Sequence, residues 1–320
     1  MFNKKLAILL APLVIVGCGS DSDTTQPQTA LVSFSISDAP VDDADAVVVA
    51  FDAIELKHES GQSYFINVVD TETSDDYQQI NLLDYQGTDA KLIVSDERIQ
   101  VGSYKEMILH TKSGNSYNWV IANGTHDLKI PSNKLKLGGF EVSEETVQAF
   151  TIEFDLRKAL VQRGNNSNNN GYNLKPHGVS IVDSSSAASL KGTVDVNLFS
   201  SGEACTADTG NFVYLYAGHN HTSDVLIDNI DENDPDYLKD TELPEGYVAP
   251  YASTSVTEQG NYAFGYIPAG AYTVAFSCSA TDDDPIQYDQ LIIPNPEEQV
   301  AEIEFSPTQE KIYDFVEILR

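Results

Sequence analysis

Apolar residues in this chain recur at every second position, in short runs cut by turn residues. That period is the signature of half-buried strands and leaves little room for other structure. Val32, Phe34 and Ile36 alternate with Ser33, Ser35 and Ser37. Further strand-like runs are Val47–Val49 with Phe51, Leu92–Val94, Met107–Leu109, Trp119–Ile121, Ala149–Phe154 and Val179–Val182. Between them lie turn signals such as Asp38-Ala-Pro40, Ser60-Gly61, Ser113-Gly114-Asn115, Asn123-Gly124 and Gly138-Gly139. Sustained helical spacing is scarce; Asp42–Ala46 and Leu156–Val161 are expected to hold a helical turn at most. The expected fold class is all-β, with two β-sandwich-like domains in tandem.

Residues 1–17 carry Lys4 and Lys5, an apolar run from Leu6 to Val16, and Gly17. A cationic start followed by about ten apolar residues is a secretory signal, too short to span a bilayer. The junction Ile15-Val16-Gly17-Cys18 looks like a bacterial lipobox, in which cleavage precedes the Cys and the Cys is acylated. Cys18 is therefore the expected lipid attachment, and each buried CH₂ of the acyl chains would contribute roughly 0.8 kcal/mol of anchoring. Gly19 follows it, where an Asp would resemble an inner-membrane retention signal, so the expected address is the cell outer membrane, on its periplasmic or surface face. Residues 18–30 form the acylated Cys and a tether without apolar periodicity, reaching at most about 40 Å.

The polar run Gly164–Gly171 reads as an exposed hairpin or loop. Ser184–Ser189 is a second break, followed by a fresh strand at Leu190–Val196, and the domain boundary is placed there: 31–188 and 189–320. Cys205 and Cys278 both fall in the second part. An isolated pair outside the cytoplasm most simply forms a disulfide, with free buried thiols as the alternative. Closing a loop of about 70 residues would stabilise by roughly 4 kcal/mol on the chain-entropy model.

Several ordered motifs in the first part resemble the bacterial lipoprotein family known as domain of unknown function 4382. They are Ser37-Asp38-Ala39-Pro40 with Asp45-Ala46-Val47, Ile54-Glu55-Leu56-Lys57, Leu137-Gly138-Gly139-Phe140, Phe154-Asp155-Leu156-Arg157-Lys158 and Leu174-Lys175-Pro176. The resemblance implies a β-rich extracytoplasmic module with no assigned chemistry. The second part is similar to the small β-sandwiches of carboxypeptidase-regulatory and prealbumin-like domains. It opens with Leu190-Lys191-Gly192-Thr193-Val194, and its signature runs from Gly260 to Val274, with Tyr262, Phe264 and Tyr266 expected on one strand face. Pro268-Ala-Gly270 makes the reversal to a second face of Tyr272, Val274 and Phe276. Such folds are classed with carbohydrate-binding-like sandwiches and also serve as spacers, so fold alone assigns no function. The acidic insertion from His219 to Tyr251 departs from the minimal repeat.

The chain carries 49 acidic against 18 basic side chains, a formal charge of −31, which excludes a nucleic-acid partner. No Gly-x-Ser-x-Gly, His-Glu-x-x-His, phosphate-binding glycine loop or dinucleotide fingerprint occurs, so the chain reads as non-enzymatic. Metal candidates are the oxygen-rich runs holding Asp228, Asp231, Asp234 and Asp236, and Asp282, Asp283 and Asp284, of the kind Ca²⁺ prefers. A third cluster is Asp38, Asp42, Asp43 and Asp45. None fits the twelve-residue calcium loop, and a solvated loop is the favoured reading of each. His219 and His221 would share a strand face but lack an identifiable third ligand. Trp119, the sole Trp, is a candidate stacking platform for sugar, although alternation favours its burial. No cofactor is expected, Ca²⁺ being only the ion that the acidic runs would suit. The expected role is a lipid-anchored, non-catalytic envelope protein that binds or scaffolds, with membrane lipid and a carbohydrate or envelope-protein ligand as partners. The rival reading is a metal-dependent hydrolase acting through the acidic loops.

Overall fold

A computed structural model describes residues 27–39, 44–144, 147–165, 168–207, 209–239, 241–281 and 283–317. Expectations resting on residues 1–26, including Cys18, and on Asp42, Asp43 and Asp282 lie outside the described residues. The protein is all-β, with two β-sandwich-like domains in tandem.

In the first domain, a four-stranded sheet runs Val179–Asp183, Val147–Asp155, Thr29–Ala39, Lys91–Gln100. Thr29–Ala39 lies parallel to Val147–Asp155, from Leu31 opposite Val147 to Ala39 opposite Asp155, and antiparallel to Lys91–Gln100. A larger sheet is organised around the long strand Ala46–His58 and its antiparallel partner Gly102–Thr111. Even-numbered side chains of the first strand (Val32, Phe34, Ile36) and of its parallel partner (Phe150, Ile152, Phe154) face the second sheet and are fully buried or nearly so. The rings of Phe34 and Phe150 stack 5.9 Å apart, and Phe140 closes on both. Each such side chain contributes about 1.5–3 kcal/mol by leaving water. The polar hairpin is a pair of antiparallel strands, Leu160–Asn165 and Asn168–Leu174.

Trp119 is half-buried, because Asn118 and Val120 take the inward positions. Asn118 is held by the backbone: its Oδ1 accepts from Ala50 N at 3.0 Å and its Nδ2 donates to Lys112 O at 2.6 Å. A buried amide with both ends paired sits inside without penalty, and the ring is left at the rim.

In the second domain, Ala188–Thr193 is the middle of a three-stranded sheet, antiparallel to Asn261–Ile267 and parallel to Glu310–Ile312. It packs on a four-stranded sheet ordered Ala252–Ser255, Phe212–Ala217, Gly270–Ser277, Val300–Phe305. Leu190, Val213, Leu215, Phe264, Val274, Phe276 and Phe315 fill the space between. Cys205 and Cys278 are joined in a disulfide with their Cα atoms 5.2 Å apart.

One local expectation needs correction. Tyr262 and Phe264 share the buried face, but Tyr266 leaves it: its φ of +47° turns the strand, and Ile267 fills the core position instead. The insertion from His219 to Tyr251 is not wholly a solvated acidic loop. Leu226–Ile230 is buried, covering the outer face of the four-stranded sheet where Tyr214, Tyr216, Ala275 and Ile293 form a second cluster.

Candidate functional site

The strand Val147–Asp155 ends in a single helical turn, Leu156–Ala159, all four residues of which are buried. Leu156 and Ala159 face the first-domain core. Arg157 and Lys158 face the other way and enter the second domain, each only 8% exposed. Charged residues are almost never buried so far without partners, and these two have them. The Arg157 guanidinium lies on the face of Phe212, 3.3 Å from the ring centroid. Its Nη1 donates to Tyr214 Oη at 3.0 Å and its Nη2 to Ala280 O at 2.7 Å, with Asp283 Oδ2 at 3.4 Å. Tyr214 Oη and Asn229 Nδ2 donate to the same Asp283 oxygen, at 2.8 and 2.7 Å. Burial alone would push the Arg157 pKa down; Tyr214 and Asp283 outweigh it and hold the group above its ordinary value.

Lys158 Nζ donates to the carbonyls of Pro250 and Tyr251, and burial lowers its pKa. Asp155 accepts from Ser253 N at 3.2 Å through Oδ2. Lys175 pairs with Asp234, and His177 lies 3.6 Å from Asp231. Charge-assisted bonds of this kind contribute about 1.5–3 kcal/mol each when buried, and here they run from the first domain to the second.

Beside this latch is a cavity of about 190 Å³ with walls from both domains. Glu153 lines it opposite its cross-strand neighbour Ser180. Asp155 and Asp38 line it from the ends of two adjacent strands, and Tyr251 and Tyr266 close it from the second domain. Desolvation holds all three carboxyls above their ordinary pKa; Glu153 raises Asp38 further by its charge. Tyr266 Oη donates to Thr88 O of the first domain at 2.9 Å. Next to it the backbones meet so closely that a Cβ on Gly265 would stand 1.8 Å from Gly87 O. Gly265→Ala is therefore expected to force the domains apart locally, with a loss of about 1–3 kcal/mol and faster limited proteolysis between residues 184 and 187. An unchanged cleavage rate would show that the junction is not held there.

The sequence candidates end up elsewhere. Among the described residues no three His, Cys, Asp or Glu side chains are grouped so as to hold a metal ion. Asp228 is fully buried, accepting from Asp289 N and Leu291 N, and burial raises its pKa to about 7. The solvated-loop reading is corrected for Asp228, Asp234 and Asp283, whose side chains are buried against donors of the chain itself. Asp231 accepts from Asn233 N, and Asp284 from the N–H groups of Ile286 and Gln287, as turn-forming carboxylates do. Asp236 and Asp45 are exposed. His219 and His221 bond to the carbonyls of Ile303 and Ala217. Sequence reading missed Glu153, Arg157, Lys158, Tyr251 and Tyr266 as site residues. The signal was a charged pair directly after a wholly apolar strand face, at Phe154-Asp155-Leu156-Arg157-Lys158.

Residues 29–176 match the family described as domain of unknown function (DUF4382). No curated protein matches the chain. Among solved structures, the Bacillus anthracis TIE protein overlaps it at 11% identity and a TM-score of 0.20, over 90% of this chain. The chain spans only 33% of the length of that structure. A candidate cell adhesion protein from Parabacteroides distasonis overlaps at 8% identity and a TM-score of 0.19, covering 84% of this chain and 90% of its own. BcpA, the major pilin subunit of Bacillus cereus, does so at 10% identity and a TM-score of 0.19, covering 89% and 99%. Likeness at such scores carries no argument about this chain.

Proposed function

We propose that this chain is a lipid-anchored, non-catalytic protein of the bacterial outer membrane whose two β domains work as one rigid body for binding or scaffolding. The observation that carries the reading is the buried latch of Asp155, Arg157 and Lys158 in the second domain. A spacer on a hinge has no use for desolvated charges at its joint, whereas a body that must present two domains in fixed register does. Inter-domain contacts are commonly polar and permissive; in this one any opening breaks the bonds of Arg157 and Lys158 to Tyr214, Ala280, Pro250 and Tyr251 and takes from Asp283 its cation. Support for the address comes from the lipobox-like Ile15-Val16-Gly17-Cys18. Three of the acids that a hydrolase would draw on, Asp228, Asp234 and Asp283, are bonded to donors of the fold, which supports the non-catalytic reading.

Two measurements test the proposal. In cells fed labelled palmitate, the wild-type chain should take up label and pellet with outer membranes, and Cys18→Ser should do neither. Unlabelled wild-type protein would remove the anchor from the reading. For the binding role, the fragment from Asp21 onward is applied to a glycan array: a positive spot names a carbohydrate ligand, and a blank array directs the search to an envelope protein.

A further inference from the structure

The junction cavity contains a mismatch that the protein alone does not resolve. Both carboxylate oxygens of Asp38, Oε2 of Glu153 and Oδ1 of Asp155 are buried and have no hydrogen-bond donor. Asp38 is fully buried and Asp155 is 5% exposed. The N–H groups of Ala39 and Leu156 lie beside the Asp38 carboxyl and the Ser37 hydroxyl beside Glu153, without completing a bond to these oxygens. Buried polar atoms are nearly always paired, and an orphaned buried charge is among the costliest features a fold can hold. Arg157 and Lys158 hydrogen-bond to Tyr214, Ala280, Pro250 and Tyr251 instead, and act on Asp155 through charge alone.

We propose that this cavity binds a small organic cation, an alkylammonium group whose N–H donors are taken by Glu153, Asp155 and Asp38 and whose hydrocarbon lies against Tyr251 and Tyr266. Four features argue for that chemistry. The unpaired atoms are all carboxyl oxygens, which an occupant bearing N–H donors and positive charge satisfies while displacing the protons that burial favours on them. Ala39, Val179, Ala252 and Phe264 also line the space, which suits a carbon chain better than a bare ion. The carboxylates are not grouped as metal ligands are, whereas an ammonium reaches several acceptors at ordinary hydrogen-bond distance. A volume of about 190 Å³ far exceeds the ~10–15 Å³ needed for one water, and the aromatic rings add cation–π attraction to a charged nitrogen. Ser180 and Tyr266 are only half-buried, so the cavity communicates with solvent. Because its walls come from both domains, an occupant would also tighten the junction. The inference stands apart from the envelope reading, since it needs neither the anchor nor a glycan.

The test uses full-length Cys18→Ser protein, with butylamine and putrescine as free amines and N-acetyl-lysine methylamide as the side chain of a protein lysine. Butanol, Mg²⁺ and Ca²⁺ are the controls. Calorimetry and thermal melting should show saturable binding of the amines, a raised Tm, and no response to butanol. Tighter binding of the lysine analogue than of putrescine would assign the site to a partner's lysine; the reverse would assign it to a free amine. Glu153→Gln should weaken binding at least tenfold. Ala263→Leu, which fills the cavity from the second domain without touching a charge, should abolish it and keeps the test decisive if Glu153→Gln misfolds. No response to any amine, equal affinity in both variants, or a response to Mg²⁺ or Ca²⁺ alone would overturn the proposal.

Discussion

Arg157→Ala should lower the unfolding free energy by about 3–5 kcal/mol, the range expected when one member of a buried charge pair is removed. The substitution empties the slot against Phe212 and leaves Asp283 facing Tyr214 and Asn229 without its cation. It should also uncouple the domains. Trp119, the sole Trp, reports on the first domain, and near-ultraviolet circular dichroism is weighted toward the tyrosines of the second. In urea the two probes should coincide for the wild type and separate for Arg157→Ala. Arg157→Met combined with Asp283→Asn removes both charges and should recover part of the loss, the excess over additivity measuring their coupling. Coincident transitions in the single variant would show that the latch does not join the domains.

Acidification should stabilise this protein, with Tm rising by roughly 5–10 °C between pH 8 and pH 5, a few kcal/mol for a chain of this size. Asp38, Glu153, Asp155 and Asp228 all have folded-state pKa values raised by burial, Asp228 to about 7. A carboxyl of this kind holds its proton more tightly in the folded state than in the unfolded chain. Its favourable contribution is complete below the unfolded value near 4 and is lost as pH rises through the folded value. Lowering pH from 8 to 5 therefore recovers stability. His177, whose pKa burial lowers, works against the trend below about pH 6.5, but it is one group against four. Asp38→Asn should be more stable than wild type at pH 8 and show a shallower pH slope. A Tm that falls steadily from pH 8 to 5 would contradict the assignment of these acids.

The strands were legible because a period of two survives in sequence wherever one face is dry: Val32-Phe34-Ile36 and Phe150-Ile152-Phe154 state their own burial. The site was not legible, for two reasons. Arg157 and Lys158 are residues that normally face water, and their partners Tyr214, Pro250 and Asp283 lie far along the chain, so only the assembled junction shows them buried. The acidic runs misled in the same way. Asp228 and Asp283 read as solvated loop by composition, yet each caps donors of a segment that the sequence gives no reason to bring near. Tyr266 was misplaced because alternation assumes a regular strand, and its positive φ breaks that assumption in one step.

The pairing of first strands has a temporal consequence. Thr29–Ala39 lies parallel to Val147–Asp155, and Ala188–Thr193 lies parallel to Glu310–Ile312. In each domain the strand made first waits for one made more than a hundred residues later before its ladder closes. Such distant closure slows folding, so a chain emerging from a ribosome stays open until nearly all of a domain has been synthesised, the state in which a polypeptide threads most readily through a narrow export channel.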